Sequence, residues 1–302
     1  MKQTILVAGA TGNLGGRIIT ALLAKDVEVR AVVRLKSDPL KVKKLENLGV
    51  KVFEVDMSKK EEVAKVCKGV TCVVSALAGL RETIIGTQKV LLDGAVLAGV
   101  PRFIPSDYSL DFRNLTKGGN RNLDLRKEFH EYLDKSSIAA TTVFNGAFMD
   151  LLTKEMPMIL FKVKRILYWS DADQSVDFTT MDDTASFTAN VALDENSPRF
   201  LRIAGDQITP REMAQVVSKV TGDKFGLLRA GGIGMLNTLI KIGRTLSPAK
   251  KDLYPAWQGM QYMRDMMEGK AKAGPYANNR YEGMKWTTIK DFLESYERSE
   301  EE

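Results

Sequence analysis

Short apolar runs alternate with amphipathic segments through the first half of the chain. The apolar runs are rich in β-branched residues and are bounded by turn residues, which is typical of strands. Six strands are predicted, at Thr4–Ala8, Val27–Val33, Lys51–Val55, Thr71–Ser75, Arg102–Pro105 and Ala139–Phe144. Helical periodicity predicts helices near residues 13–24, 38–48, 59–67, 82–98 and 122–136. This alternation predicts right-handed βαβ units and an α/β fold with a doubly wound parallel sheet.

The regular alternation of strands and helices ends after residue 145. The elements predicted there are a short helix and a strand within Leu151–Trp169, helices at Asp182–Leu193 and Pro210–Val220, and a strand at Phe200–Ala204. We therefore predict a first domain over residues 1–150. A smaller α/β domain follows over residues 151–302, partly interleaved with the first and without a sharp linker.

Two of the predicted helices begin with a capping-box motif. Ser58 and Glu61 have the required spacing at the third helix. Thr209 and Glu212 repeat that spacing, with Pro210 at the first helical position, where proline is favoured.

The first predicted strand leads directly into a glycine-rich turn. Glycines at 9, 12 and 15 form the pattern GxxGxxG between a strand and a helix. Gly9 permits the tight bend, Gly12 lets the backbone approach a pyrophosphate, and Gly15 lets the helix pack closely on the sheet. A purely structural turn is the alternative. The context favours a Rossmann-type domain that binds a dinucleotide through Gly9, Thr11, Gly12, Asn13, Leu14 and Gly15.

The end of the second strand indicates which dinucleotide is bound. A site for NAD needs an acid there, whereas a site for NADP prefers a cation for the 2′-phosphate. Glu28 lies at the start of the strand, far from the ligand, and no carboxylate occurs over residues 29–35. Arg34 closes the strand and Lys36 follows it, so we predict NADP(H), unless Arg34 is an ordinary solvated residue.

Two further strand ends supply candidate contacts to the cofactor. Asp56 closes the third strand, where a short acid can accept a hydrogen bond from the adenine amino group. Small residues at the end of the fourth strand let the ribose lie over the sheet edge. The cofactor-binding residues predicted at these ends and after the fifth strand are Asp56, Ser75, Ala76, Leu77 and Ser106.

Charge and cysteine content narrow the class of partner. The 302 residues carry a formal charge of +6, but the basic residues are scattered, which favours a small anionic ligand over nucleic acid. Cys67 and Cys72 are expected to be buried free thiols, which favours a cytoplasmic location.

No apolar run reaches about 18 residues, so no membrane span is expected. One histidine and two cysteines provide no convincing zinc site.

The motifs together resemble the NmrA-like and isoflavone-reductase-like branch of the atypical short-chain dehydrogenases. The resemblance is good over residues 1 to about 150 and looser up to about 220. The matching stretches are Gly9–Gly16, Ala31–Arg34, Asp56, Ser75–Leu77, Gln88–Tyr108 and Thr142–Phe148. The resemblance implies an NADP(H)-binding Rossmann domain and a smaller substrate domain. Members include NADPH-dependent reductases of phenolic compounds and quinones, and regulators that bind NADP without known catalysis.

The resemblance also implies a catalytic position that this chain fills differently. The reductases of the family use a lysine on the helix before the sixth strand, and the matching residue here is Arg126. An arginine holds its proton, although it can polarise a carbonyl or bind a ribose. Lys127 is adjacent but points about 100° around the helix. Both residues can equally be ordinary surface residues, and Tyr108 is a further catalytic candidate as a hydrogen-bond donor.

Tyr108, Asn145 and Phe148 are predicted to contact the substrate, which the resemblance makes a small and possibly aromatic or quinone-like compound. His130 is expected to be solvated or partly packed. The methionine-rich segment 257–267 is expected to be core, or an adaptable wall for a flat substrate.

Three functions are compatible with these features. The first is an NADPH-dependent oxidoreductase acting on a small carbonyl, quinone or enone compound. The second is a non-catalytic regulator that senses NADP(H) and contacts a protein partner, which Arg126 favours. The third, an isomerase or epimerase, is disfavoured because the Tyr-x-x-x-Lys pair is absent. The sequence leaves the substrate, its stereochemistry, the oligomeric state and the pathway open.

Overall fold

The computed structural model describes residues 2–153, 155–272 and 274–301, with residues 297–301 described by their backbone alone. The first half contains β1 (Thr4–Ala8), α1 (Asn13–Leu23), β2 (Glu28–Arg34), α2 (Pro39–Asn47), β3 (Lys51–Val55), α3 (Lys60–Cys67), β4 (Cys72–Ser75), a π-helix (Glu82–Thr87), α4 (Gln88–Leu97), β5 (Arg102–Ile104), α5 (Arg121–Leu133), β6 (Ala139–Ala140) and β7 (Thr142–Phe144).

The second half has shorter strands and longer helices. Its elements are β8 (Ala147–Phe148), β9 (Ile159–Leu160), β10 (Arg165–Trp169), β11 (Val176–Thr179), α6 (Met181–Leu193), β12 (Phe200–Arg202), β13 (Asp206–Ile208), α7 (Pro210–Thr221), β14 (Gly226–Gly231), α8 (Ile233–Leu246), α9 (Ala256–Met267) and α10 (Ile289–Glu301), with single 3₁₀ turns at Met149–Leu151 and Phe161–Val163.

The chain divides into two compact units. The first contains Met1–Tyr108, Leu125–Val143 and Thr184–Leu201, and the second contains Ser109–Asp124, Phe144–Asp183 and Arg202–Glu302. A single boundary at residue 150 therefore does not separate the units. Long-range hydrogen bonds explain the difference. Asn120 donates to Asp265 within the second unit, and Arg102 donates to the Val191 carbonyl within the first.

The first unit is built on a six-stranded parallel sheet in the order β3-β2-β1-β4-β5-β6. Val7 of β1 pairs with Ala31 on one side and Val74 on the other. The strand order reverses at β1, so the crossover helices cover both faces, and strands buried on both faces read as continuous apolar runs. The predicted doubly wound Rossmann-type α/β fold is confirmed.

The predicted sixth strand breaks in two because it changes partners. Ala139 and Ala140 pair with β5, whereas the Thr142 N–H donates to the Arg199 carbonyl oxygen beside β12. The predicted helix at 82–98 also divides, beginning as the π-helix and continuing as α4.

One predicted helix cap is confirmed and the other is wrong. Thr209 and Glu212 form a reciprocal capping box with Pro210 in the first turn of α7. At α3 the N-cap is Lys59, and no side chain caps it among the residues described. Ser58 instead donates to the Asp56 carboxylate, because the chain turns back on Asp56 before the helix begins.

The second unit combines short sheets with helices around its own apolar core. Its sheets have the orders β14-β10-β9 and β13-β11-β8. Trp257 is buried, and Met263, Met266 and Met267 of α9 lie within the core, which supports the interpretation of the methionine-rich segment as core. Among the residues described, none of the helices has the length and apolarity needed to cross a membrane.

Both cysteines are buried free thiols, as the sequence predicts. Burial raises the pKa of Cys67 to about 12 and that of Cys72 to about 12. Neither thiol is therefore a nucleophile near neutral pH.

Candidate functional site

The glycine turn joins β1 to α1 at the carboxyl edge of the parallel sheet. Gly9 has a φ of +80°, and a Cβ atom there would lie 2.4 Å from the Ala76 carbonyl oxygen. A Cβ atom at Gly15 would lie 2.1 Å from the Gly9 carbonyl oxygen. The Gly12 N–H donates to that same oxygen at 3.0 Å, which closes the turn. Side chains are therefore excluded at Gly9 and Gly15 by backbone atoms that cannot move aside.

The start of α1 is left available to an anion. Gly12 is its N-cap, and within the described ranges no side chain caps the helix. The first N–H groups of a helix have no intrahelical acceptor, and together with the helix dipole they favour a phosphate. Thr11 and Leu14 are half-buried in this turn, while Asn13 is exposed.

Arg17 is a cation at this edge that the sequence analysis missed. Its Nε donates to the Asn13 carboxamide oxygen at 2.9 Å, one turn into α1. An arginine four residues after Asn13 is the signal that could have indicated it.

Arg34 is the last residue of β2 and Lys36 lies just beyond it, and both are exposed. The Arg34 carbonyl oxygen accepts hydrogen bonds from the Ser37 N–H at 3.1 Å and from its hydroxyl at 2.7 Å. Lys36 adopts a left-handed backbone with a φ of +61°, which shapes this turn. The nearby Asp38 carboxylate is occupied as the cap of α2, where it accepts from the Leu40 N–H.

Asp56 follows β3 on the same sheet edge. Hydrogen bonds from the Ser58 hydroxyl and the Ser58 N–H, with a contribution from Lys59, lower the pKa of the Asp56 carboxyl. The Ser58 hydroxyl lies 2.6 Å from Oδ1, and the Lys59 ammonium lies 3.4 Å from Oδ2. Asp56 is consequently an ionised hydrogen-bond acceptor at neutral pH.

Gln88 ties the ends of β4 and β5 together. Its Oε1 accepts from the Ser75 hydroxyl at 2.7 Å and from the Ser106 N–H at 2.9 Å. The Ser106 hydroxyl donates to the Leu77 carbonyl oxygen at 2.6 Å, which makes a second connection. Gln88 is fully buried and was not predicted as a site residue, although a glutamine on the apolar face of a helix is a signal for such a role.

Arg126 reaches this edge from α5. Its Nε donates to the Ser106 carbonyl oxygen at 3.1 Å, and its side chain is half-buried. Lys127 is the next residue of α5 and is also half-buried. The structure therefore brings Arg126 to the strand end that carries Ser106.

Tyr108 and His130 are both buried in the first unit. Burial raises the pKa of Tyr108, so its phenol stays protonated throughout the neutral range. His130 does not point into solvent, because its Nε2 lies 2.5 Å from Oδ2 of Asp107. Of the two expectations for His130, the solvated one is wrong and the packed one holds, since Asp107 and Thr142 approach the ring from other elements.

Asn145 and Phe148 belong to the second unit, whereas Tyr108 belongs to the first. Asn145 is fully buried, and its backbone is held by Ser109 and Thr179. Neither polar atom of its carboxamide has a hydrogen-bond partner among the residues described. Phe148 is half-buried and pairs with Thr179 of β11. The unpartnered carboxamide of Asn145 fits a residue that binds a ligand.

The described part of the chain contains no group of three histidine, cysteine or acidic side chains placed to hold a metal ion.

Comparisons with known proteins place these features in context. A family model described as the NmrA-like family matches residues 1–293. Pinoresinol reductase 1 of Arabidopsis thaliana is 28% identical over 245 residues, which cover 74% of this chain and 76% of that protein. An NmrA-like family domain-containing protein of Dictyostelium discoideum is also 28% identical, over 74% of this chain and 79% of its own.

Two solved structures share the fold over nearly the whole chain. One, described as AtPrR2 with NADP+ and (+)pinoresinol, is 22% identical, covers 98% of this chain and 99% of its own, and has a TM-score of 0.79. The other is a binary complex of leucoanthocyanidin reductase and NADPH from Vitis vinifera, 17% identical, with coverage of 97% and 99% and a TM-score of 0.80.

Proposed function

Because the chain belongs to the NmrA-like family, as its motifs predict, we propose that it is an NADPH-dependent reductase of a small carbonyl, quinone or enone compound. The observation that carries the proposal is the glycine turn, where backbone oxygens exclude side chains and the start of α1 is uncapped. A protein that only needed a strand-to-helix connection would not require both features.

The charges along the sheet edge support NADP(H) as the cofactor. Arg34 at the end of β2 and Lys36 after it are both exposed, and the carboxylate of the neighbouring Asp38 is committed to capping α2. A 2′-phosphate placed there would meet two cations. Structures of similar fold are described with NADP+ and with NADPH, which agrees with this assignment.

The names of the relatives support a reductase with an aromatic substrate. Pinoresinol reductases of Arabidopsis thaliana and an oxidoreductase of Metarhizium robertsii are among the proteins similar to this chain. Asn145, with its buried carboxamide, and Phe148, with its aromatic ring, are the residues of the second unit that we propose to contact such a substrate. We also propose a cytoplasmic location, because the two cysteines are buried free thiols.

NADPH, when bound, supplies the hydride, and the residues of this chain bind and orient the cofactor and the substrate. We propose that Asp56 accepts a hydrogen bond from the adenine amino group and that Ser75–Leu77 and Ser106 line the ribose over the strand ends; their internal hydrogen bonds hold these residues at the sheet edge. The Arg126 guanidinium, held near the Ser106 carbonyl, would polarise a substrate oxygen without giving up its proton. Tyr108 keeps its phenolic proton and can donate a hydrogen bond, while Lys127 is an alternative cation beside Arg126.

A regulator that binds NADP(H) and contacts a protein partner is the second candidate. Arg126 favours it, because arginine replaces the lysine that the resemblance implies and cannot act as an acid or base.

Cofactor binding followed by turnover separates the two functions. The protein would first be titrated with NADPH, with a Gly15→Ala variant as the weakly binding control. It would then be mixed with a panel of quinones, enones and pinoresinol while the absorbance of the reduced cofactor is followed. We expect tight binding and oxidation of NADPH by at least one compound. Tight binding with no turnover on the whole panel would favour the regulator, and absence of binding would overturn both.

A further inference from the structure

Helix α8 carries an apolar stripe on its exposed side. Its buried side is formed by Leu236 and Ile240, which lie in the core of the second unit. The stripe comprises Met235, Ile242 and Leu246, which are 54%, 48% and 81% exposed, and Leu239, which is half-buried and packs against the core at the edge of the stripe. At about 100° per residue, these four positions fall within about 60° of one another on the helix. Three of its four side chains, those of Met235, Ile242 and Leu246, are therefore exposed apolar groups outside the face that α8 buries in the core.

The chain around α8 is cationic and contains no acidic residue. Between Asp223 and Asp252 the sequence has no aspartate or glutamate. The six basic residues of this segment are all exposed, at Lys224, Arg229, Lys241, Arg244, Lys250 and Lys251. The formal charge of the whole chain is +6, so this basic segment carries as much net positive charge as the entire protein.

The apolar stripe and the basic segment together indicate the kind of partner that binds here. A two-fold contact with a second copy would place the basic segment against itself, and the like charges would repel. A small cavity of the second unit, lined by residues such as Phe144, Asp177 and Met266, has no residue of α8 in its lining. An anionic surface with an apolar interior matches both the cations and the exposed side chains.

We propose that α8 and the basic segment bind the surface of a bilayer that contains anionic phospholipids. The helix lies in the plane of the interface, with Ile242 and Leu246 among the upper acyl chains. Lys250 and Lys251, which follow the end of α8, face the lipid phosphates. This inference does not depend on the proposed reductase activity.

Vesicle sedimentation tests the proposal with the full-length protein. The vesicles contain phosphatidylcholine alone, or phosphatidylcholine with about 30% phosphatidylserine, at low and at physiological salt. We expect binding to the anionic vesicles that weakens with salt, and little binding to the neutral ones. Ile242→Ser/Leu246→Ser and Lys250→Glu/Lys251→Glu are each expected to lower the partition coefficient about tenfold or more.

Matched controls change the same residue types elsewhere on the surface. Leu48→Ser/Leu97→Ser removes two exposed leucines, 48% and 60% exposed, and Lys65→Glu/Lys68→Glu reverses two exposed charges of the α3 region. Both are expected to bind vesicles within about twofold of the parent protein. Circular dichroism and thermal unfolding would verify that every variant folds.

Three results would overturn the proposal. The first is failure of the parent protein to sediment with the anionic vesicles. The second is undiminished binding by the α8 variants. The third is a change from dimer to monomer in Ile242→Ser/Leu246→Ser, seen by analytical ultracentrifugation without any vesicle binding by the parent, which would assign the apolar stripe to a second copy.

Discussion

The imidazole Nε2 of His130 lies 2.5 Å from the carboxylate Oδ2 of Asp107, and both side chains are buried. The Thr142 hydroxyl donates to the same carboxylate oxygen at 2.9 Å, and Arg199 donates to that hydroxyl at 2.8 Å. The pair joins α5 to the turn after β5, which carries Ser106. The position of this part of the proposed cofactor edge therefore depends on a buried polar network.

The stability of the protein should depend on the ionised form of Asp107. Burial alone would raise the pKa of Asp107, but attraction to His130 and Arg126 and hydrogen bonds from His130 and Thr142 outweigh it and lower the pKa. A lowered pKa in the folded state contributes stability above the unfolded pKa, and this contribution is lost as the pH falls below about 4. Asp107→Asn should reduce the free energy of unfolding near pH 7 by about 3–5 kcal/mol and flatten its decline in acid.

Urea unfolding between neutral and acidic pH measures this effect. Asp223→Asn, which breaks an exposed pair with Lys164, is the control and should change the free energy of unfolding by less than about 1 kcal/mol. An acid dependence of Asp107→Asn equal to that of the parent would contradict the assignment.

Adjacent glycines of α1 should respond in opposite ways to alanine. A Cβ atom at Gly15 would lie 2.1 Å from a backbone oxygen, whereas at Gly16 its nearest neighbour is 3.8 Å away. Gly15→Ala should therefore distort the turn and weaken NADPH binding about tenfold or more. Gly16→Ala should bind normally and gain up to about 1 kcal/mol of stability, because alanine favours a helix. Calorimetric titration with NADPH distinguishes them, and equal affinities would show that close packing at Gly15 is not required.

Arg34 should select NADPH over NADH. Arg34→Ala removes an exposed cation from the end of β2 and is expected to weaken NADPH binding about 10–100-fold while leaving NADH binding unchanged. Lys51→Ala removes an exposed cation from the opposite end of the neighbouring strand and serves as the control. Parallel titrations with both dinucleotides provide the measurement. Equal losses for NADPH and NADH in Arg34→Ala would assign Arg34 a general electrostatic role.

Gln88 should stabilise the sheet edge on which the cofactor is proposed to lie. Gln88→Leu leaves the Ser75 hydroxyl and the Ser106 N–H without their acceptor, and should lower the free energy of unfolding by about 2–5 kcal/mol. Ser75→Ala removes only one of these donors and should cost about 1 kcal/mol. Urea unfolding measures both values, and a Gln88→Leu loss no greater than that of Ser75→Ala would exclude the bridging role.

The alternation of strands and helices and the position of the glycine turn were readable from the sequence. Both are recorded in local patterns, since a strand buried on two faces must be continuously apolar and a turn without room for Cβ must be glycine. Five predicted strands and the first part of the sixth accordingly form one sheet, and Gly9 and Gly15 stand where side chains would meet backbone oxygens. The α7 capping box was also readable, because its two partners are three residues apart.

Features whose partners are distant along the chain were decided by the tertiary structure. His130 meets Asp107, Gln88 joins Ser75 to Ser106, and the sixth strand changes partners near Thr142, none of which leaves a periodic signal. The capping box predicted at Ser58 does not form, because the Ser58 hydroxyl bonds to the Asp56 carboxylate instead of capping α3. The sequence by itself determined the parallel sheet and the turn at its edge, because short-range sterics and burial specify them. The tertiary structure decided which polar groups are buried there, because a buried donor or acceptor must find its partner wherever the fold brings one within reach.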